Sequence, residues 1–315
     1  MKYSVLGNTG IEVSRLCFGA LTIGPLQKHL PLNEGIEVLE YAIDCGVNFV
    51  DTADLYDTYP YIRGVIKKKP DLVVSTKSYA YNVETAEKTL NRALKGIDRD
   101  YVDLFLLHEQ EGPYTLKGHR EALEYFIKEK QRGKIRAVGI STHHIAAVEA
   151  ASSMNEIDII FPILNYRGLG IVDGSRTQME RAIEKAYKNG KGIYLMKPLG
   201  GGHLIGSYHK AMNYILDFQY THSIAIGMQR KEEVKANIDF FNNRNIDGEL
   251  EHLLENVNRK LIIQDWCQGC GKCVDRCTQG ALYLADDGRA HVNNDICILC
   301  GYCGAECPEM AIKII

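Results

Sequence analysis

The sequence predicts an α/β protein built on a (β/α)8 barrel, followed by a small cysteine-rich unit. Three observations carry this. From residue 15 to about 243, short β-branched or apolar runs alternate with amphipathic stretches of helical spacing. Eight such pairs of about 30 residues each match the barrel in number and size. Eight of the ten cysteines then fall in the last 49 residues.

The elements follow in order. "YSVLGNTGIEVS" reads as a hairpin turning at Asn8-Thr9-Gly10. The strands are expected at "LCFGAL", "VNFVDTA", "LVVSTK", "YVDLFLLH", "IRAVGIST", "IDIIFPILN", "GIYLMKPL" and "SIAIGM". Between them, "NEGIEVLEYAIDCG", "VETAEKTLNRALKG" and "SRTQMERAIEKAYKNGK" carry helical spacing, and several helices end at Gly. A doubly wound open sheet would need a Gly-rich turn after its first strand, and "GALTIGP" is not one. The barrel is therefore placed at residues 1–248, a connecting helix and linker at 249–263, and the cysteine-rich unit at 264–315.

Composition bounds the rest. Hydrophobic residues make up 45% and charged residues 24%, an ordinary globular balance. A net charge of −3 gives no electrostatic case for nucleic acid or an anionic membrane as partner. The first residues lack the basic start and apolar run of a signal peptide, and no stretch of 18 apolar residues spans a membrane. A cytoplasmic protein is expected. Ten cysteines in a reducing compartment call for something other than disulfides. Cys17 and Cys45, outside the tail, are expected to pack as small apolar side chains.

In this barrel class the chemistry sits at the carboxyl ends of the strands. Three consecutive strands end in ionisable residues: Asp51, Lys77 and His108, and Tyr56 follows in the loop after the first. Any one could be an ordinary polar strand end. Together they suggest proton transfer to oxygen, with Tyr56 as general acid, Lys77 lowering its pKa, Asp51 orienting Lys77, and His108 bonding the substrate oxygen.

Each cysteine run has the spacing C-x2-C-x2-C-x3-C, the bacterial ferredoxin pattern in which the fourth cysteine serves the other cluster. One [4Fe–4S] cluster is expected on Cys267, Cys270, Cys273 and Cys307, a second on Cys297, Cys300, Cys303 and Cys277. Zinc would favour four thiolates from two pairs, whereas three at consecutive spacings of three suit a cubane. The segment resembles a two-cluster ferredoxin, an α+β unit; Thr278 stands where a proline usually follows the run, and Pro308 keeps it.

"LGNTGIEVSRLCFGA", "NFVDTADLY", "VVSTK", "DLFLLH", "KIRAVGIS" and "PLGGGHL" together resemble the aldo-keto reductases. The resemblance implies a barrel that moves hydride between NADP (or NAD) and a small carbonyl or alcohol. Its Asp-Tyr-Lys-His tetrad matches Asp51, Tyr56, Lys77 and His108. It further implies cofactor contacts at Gly19 and Ala20, at Ser141 and Thr142 (the latter in place of the usual asparagine), and at Met196 against the nicotinamide. Lys197 falls where a serine meets the pyrophosphate, Phe161 replaces a glutamine, and Asn237 matches the adenine contact. The basic clamp on the 2′-phosphate is not reproduced: Gly227 stands for lysine and Glu233 for arginine, with Gln229, Arg230 and Lys231 nearby. A hydride enzyme moves two electrons and a cluster one, so a second reading stays open. In it the chain is an electron-transfer protein, its barrel a scaffold for a flavoprotein partner or another cofactor.

Overall fold

The computed structural model describes residues 1–255 and 257–315. A hairpin of β1 (Tyr3–Val5) and β2 (Glu12–Ser14) precedes eight parallel strands: β3 (Leu16–Gly19), β4 (Phe49–Asp51), β5 (Val73–Ser78), β6 (Val102–Leu107), β7 (Ile135–Thr142), β8 (Ile159–Pro162), β9 (Gly192–Leu195) and β10 (Ser223–Gly227). β10 pairs with both β9 and β3, so the sheet closes. All eight predicted strands are present, because each is buried on both faces and reads as a near-continuous apolar run.

The helices are α1 (Leu32–Asp44), α2 (Tyr59–Ile66), α3 (Val83–Ile97), α4 (Pro113–Gly118), α5 (Arg120–Gln131), α6 (Ile145–Ser152), α7 (Arg176–Lys188), α8 (Tyr208–Asp217), α9 (Lys231–Asn243) and α10 (Gly248–Glu255). Local chemistry starts two of them: Asn82 with Thr85, and Ser175 with Gln178, form reciprocal caps that satisfy otherwise orphaned N–H groups. The hairpin lies against the loops entering β9 and β10, where the Gly7 and Asn8 N–H groups bond His222 Nε2 and the Gly190 carbonyl.

The carboxyl-terminal unit holds β11 (Leu261–Ile263), α11 (Lys272–Arg276), β12 (Leu282–Leu284), β13 (Ala290–Val292), α12 (Tyr302–Glu306) and β14 (Ile312–Ile314). β11 pairs antiparallel with β14, and β12 with β13. The sequence of this unit is an internal duplication, "CQGCGKCVDRCTQGALYL" recurring as "CILCGYCGAECPEMAIKI", and it folds as two matching halves. The unit begins at β11, a few residues before the expected 264, because "LII" supplies the strand partner of the last segment.

This unit rests on the barrel. Met310, 1% exposed, joins the barrel's own core cluster. His203 Nε2 donates to the Ile312 carbonyl at 2.9 Å. Gly202 has φ +96°, and a Cβ there would meet the Ile314 carbonyl oxygen at 2.1 Å, so only glycine permits the approach.

Candidate active site and cysteine clusters

Strand register brings the expected tetrad together. Gly19, Asp51 and Ser75 stand level across β3, β4 and β5, with Lys77 two residues further along β5. Lys77 Nζ donates to Asp51 Oδ2 and to the Thr52 carbonyl, each at 2.7 Å. Asp51 Oδ1 accepts from the Tyr194 hydroxyl at 2.9 Å, and Ser75 Oγ lies 2.8 Å from that same hydroxyl. The pair is therefore buried with hydrogen bonds to both partners, the condition under which buried opposite charges persist. Burial still raises the Asp51 pKa, against the pull of Lys77.

Tyr56 sits above this pair: its ring centroid is 4.7 Å from Lys77 Nζ and 5.7 Å from the His108 ring, edge to face. Burial first, then the carboxylates of Asp51 and Glu109, push the Tyr56 phenol well above its usual range. The expected lowering by Lys77 is not what this arrangement gives, because that ammonium donates to Asp51 and Thr52. Tyr56 is held protonated. His108 is held neutral: burial, Lys77 and Lys197 all lower its pKa, and its Nδ1 has no hydrogen-bond partner. Its ring stacks on Tyr79 at 4.5 Å, and the Tyr79 hydroxyl donates to Glu109.

A large cleft opens beside Asp51 and Tyr56. Its wall includes Gly19, Asp51, Tyr56, Met196, Lys197, Gly227 and Asn237, and at the far end Gln229, Arg230, Glu233 and Arg259. Five of the eight expected cofactor contacts thus share one surface. Ala20, Ser141 and Thr142 do not: all three are fully buried and off this wall. The Thr142 hydroxyl donates to the Gln110 carbonyl at 2.6 Å, and Ser141 Oγ accepts from the Glu109 N–H at 2.9 Å. Both side chains fasten the loop after β6, which accounts for their residue types without a ligand. Phe161 lies flat on Tyr194 at 3.8 Å and comes within 5.4 Å of Lys77 Nζ, so it belongs to the apolar floor. Asn237 is held by Tyr208 and the Glu233 carbonyl.

Sequence reasoning missed Tyr194, Tyr79, Glu109 and Lys313. Tyr194 carried a usable signal, a lone hydroxyl inside an apolar strand. Lys313 carried none.

The cysteines also gather as expected. Cys267, Cys270, Cys273 and Cys307 surround one small cavity, with Gln268, Gly271 and Pro308 beside them. The sulfurs of Cys267, Cys270 and Cys307 act electrostatically on Cys273, while Cys297, Cys300 and Cys277 act on Cys303, along with Cys273 itself. Burial pushes the Cys303 thiol up to about 12. Backbone N–H groups already point at sulfur: Ala281 to Cys277 and Ala311 to Cys307, both at 3.3 Å. Such hydrogen bonds favour thiolates and tune a cluster's potential. The residues present therefore fit iron–sulfur ligation, most directly at the first set, which lines one cavity.

Comparison with known proteins decides the family. The model of the Aldo/keto reductase family matches residues 15–253, and that of the 4Fe-4S dicluster domain matches residues 259–308. The chain belongs to the aldo/keto reductase family. This reductase is 29% identical, over 67% of each chain, to a protein of Arabidopsis thaliana named "Probable voltage-gated potassium channel subunit beta". It is 24% identical to the "Uncharacterized oxidoreductase YqkF" of Bacillus subtilis, over 83% of this chain and 98% of that one. Among solved structures, the thermostable aldo-keto reductase Tm1743, crystallised with the inhibitor epalrestat, aligns with a TM-score of 0.62 at 25% identity, over 81% of this chain and 99% of that one. The protein is an oxidoreductase of this family carrying a 4Fe-4S domain, and among its described residues no helix is long and apolar enough to cross a membrane.

Proposed function

We propose that the barrel reduces a small-molecule carbonyl to an alcohol, or runs the reverse, with Tyr56 as the general acid. The observation that carries this is the buried, hydrogen-bonded Asp51–Lys77 pair beneath a protonated phenol and a neutral imidazole, with Asp51 and Tyr56 on the wall of one cleft. A nicotinamide cofactor supplies the hydride when bound. Gly19, Met196, Gly227 and Asn237 line the space that would hold it. At the far end Arg230 and Arg259 suit a 2′-phosphate and Glu233 a free 2′-hydroxyl, so the cofactor is written NAD(P)H.

The chain's own residues handle the proton. His108, neutral, donates one hydrogen bond to the carbonyl oxygen and fixes its direction. Tyr56 gives its proton to that oxygen as charge builds there. The phenolate left behind lies beside the Lys77 ammonium, which Asp51 keeps in place. In alcohol oxidation the same phenolate takes the proton back. A general acid contributes roughly 10²–10⁴-fold.

A second reading rests on Cys300, a member of the second cysteine set, which lines the same cleft as Tyr56 and Met196. The tail, with [4Fe–4S] clusters on Cys267, Cys270, Cys273 and Cys307 and on Cys297, Cys300, Cys303 and Cys277, would then pass single electrons between that cleft and a redox protein. Thiolate ligands fit a reducing, cytoplasmic setting.

Replacing Tyr56 by Phe separates the two. Carbonyl reduction by anaerobically purified protein should fall at least about 10²-fold while NAD(P)H fluorescence still reports binding. Full turnover by the variant would refute the general-acid role. Bleaching of cluster absorbance when NADPH is added to that variant would favour the electron-transfer reading.

A further inference from the structure

The cleft holds two ammonium groups that the proton chemistry does not use. Lys313, on β14 of the cysteine-rich unit, is only 3% exposed, lines the cleft, and its Nζ has no hydrogen-bond partner. Lys197, after β9, lines the same cleft in a left-handed backbone conformation, φ +57°. Its side chain, expected from the family resemblance to meet a phosphate, is turned instead to His143 Nε2 at 2.7 Å. Among the described residues neither ammonium forms an ion pair.

Burying an ammonium without an anion is strongly unfavourable. Lys313 is held well below the ordinary lysine range by burial and by Lys197, and Lys197 is brought down to about 8 by burial, against the pull of Glu109 and helped by Lys77. Glu109 is the one carboxylate acting on both, and it is engaged by the Tyr79 hydroxyl; the Cys307 sulfur also acts on Lys313 but belongs to the first cysteine set. Lys77 is already matched by Asp51. The site is therefore short of negative charge. The Lys197 charge also reaches His108, which places the deficit beside the carbonyl end of the cleft.

We infer that Lys197 and Lys313 together bind an anionic group on the substrate, so that the reductase acts on carbonyl compounds carrying a carboxylate. This deepens the reading above and rests on it. The cysteine-rich unit then has a part in substrate choice, since it supplies one of the two charges. A hydrogen bond to a charged group contributes roughly 1.5–3 kcal/mol, so an oxo-acid should exceed its uncharged counterpart by about 10–100-fold.

The test uses the full chain, purified without oxygen and saturated with NAD(P)H. Succinic semialdehyde is compared with butanal, and glyoxylate with acetaldehyde, by calorimetric binding and by kcat/KM. At least one acid should lead its aldehyde by about tenfold or more. In Lys313→Met, with cluster absorbance unchanged, acid and aldehyde should converge, and Lys313→Arg should restore part of the difference. Equal or undetectable binding of both members of each pair by the unmodified protein overturns the inference. So does an equal loss for acid and aldehyde in Lys313→Met, which would make Lys313 structural. Weakened NAD(P)H binding with acid preference intact overturns it too, assigning the lysines to the nucleotide's pyrophosphate. Retained turnover of butanal by Tyr56→Phe would defeat the general-acid reading, while calorimetry would still decide the anion site.

Discussion

The barrel and the cysteine-rich unit stay folded by different means. The barrel encloses a continuous core from Leu6 to Leu250, with Phe18, Phe49, Phe105, Phe126 and Phe240 all fully buried. The smaller unit has a core of its own made of six buried residues, and two of those are Cys273 and Cys303. Below about 60 residues a chain buries too little apolar surface to be more than marginally stable. The unit places its thiols where its core should be. The proposed ligand set is thus the missing core in folding, whereas the barrel's proposed catalytic residues sit on a scaffold that does not need them.

The largest effect that would break this comparison is removal of iron. Chelation under anaerobic conditions should unfold the unit from Leu261 onward as a whole, since metal binding free energy is folding free energy in such small units. The barrel should keep a single cooperative melting transition. Protease resistance of residues 261–315 after chelation would show that the unit holds itself together.

Acid sharpens the contrast from the barrel's side. His222 is buried between Gly7 and Ile193, with Nε2 accepting from the Gly7 N–H and Nδ1 beside the Ile193 carbonyl. Burial brings its pKa down to about 4. The unfolded chain, at about 6.5, binds a proton over that whole interval that the folded chain refuses. Stability is therefore full above about pH 6.5 and falls as pH drops towards 4, by about 3 kcal/mol from this group. His222→Gln should flatten that part of the barrel's stability profile, followed by hydrogen exchange at β9 and β10 amides. An unchanged slope would mean that other groups carry it.

How much of this was legible in the sequence follows the range of the interactions. Strands and helices are written in local periodicity, and the strand-end residues Asp51, Lys77 and His108 converge because parallel strands in register bring equivalent ends together. The two cysteine sets were legible because the duplication fixes their spacing. Hydroxyl placements were not: Ser141 and Thr142 look alike in sequence whether they line a cleft or fasten a loop, and only the structure shows them bonded to Glu109 and Gln110. The seating of the tail on the barrel was invisible. "AIKII" reads as a strand with one solvated lysine, and nothing in its alternation reports that the lysine faces the mouth of a barrel.

The smallest predicted effect concerns that seating. In the duplicated sequence Gly280 and Met310 occupy matching places, and both have left-handed backbones, φ +64° and +48°. Glycine suits that conformation, whereas methionine there costs of order 1 kcal/mol. The cost is offset because the Met310 side chain enters the barrel core against Gly170, whose absent Cβ would lie 2.7 Å from Met310 Cγ and Sδ. Met310→Gly restores the residue used in the other half and removes the anchor. Losing a buried Met side chain costs about 2–5 kcal/mol, so the net loss should be about 2 kcal/mol after the strain is relieved. It should fall on docking and not on the unit's own fold. The cluster spectrum should be unchanged, while the linker at 257–260 becomes more open to protease and the Lys313 amide exchanges faster. Faster exchange with no gain in cleavage would mean that the unit loosens internally; equal protection would mean that His203 and the glycine contacts at 202 and 304 hold the unit without Met310.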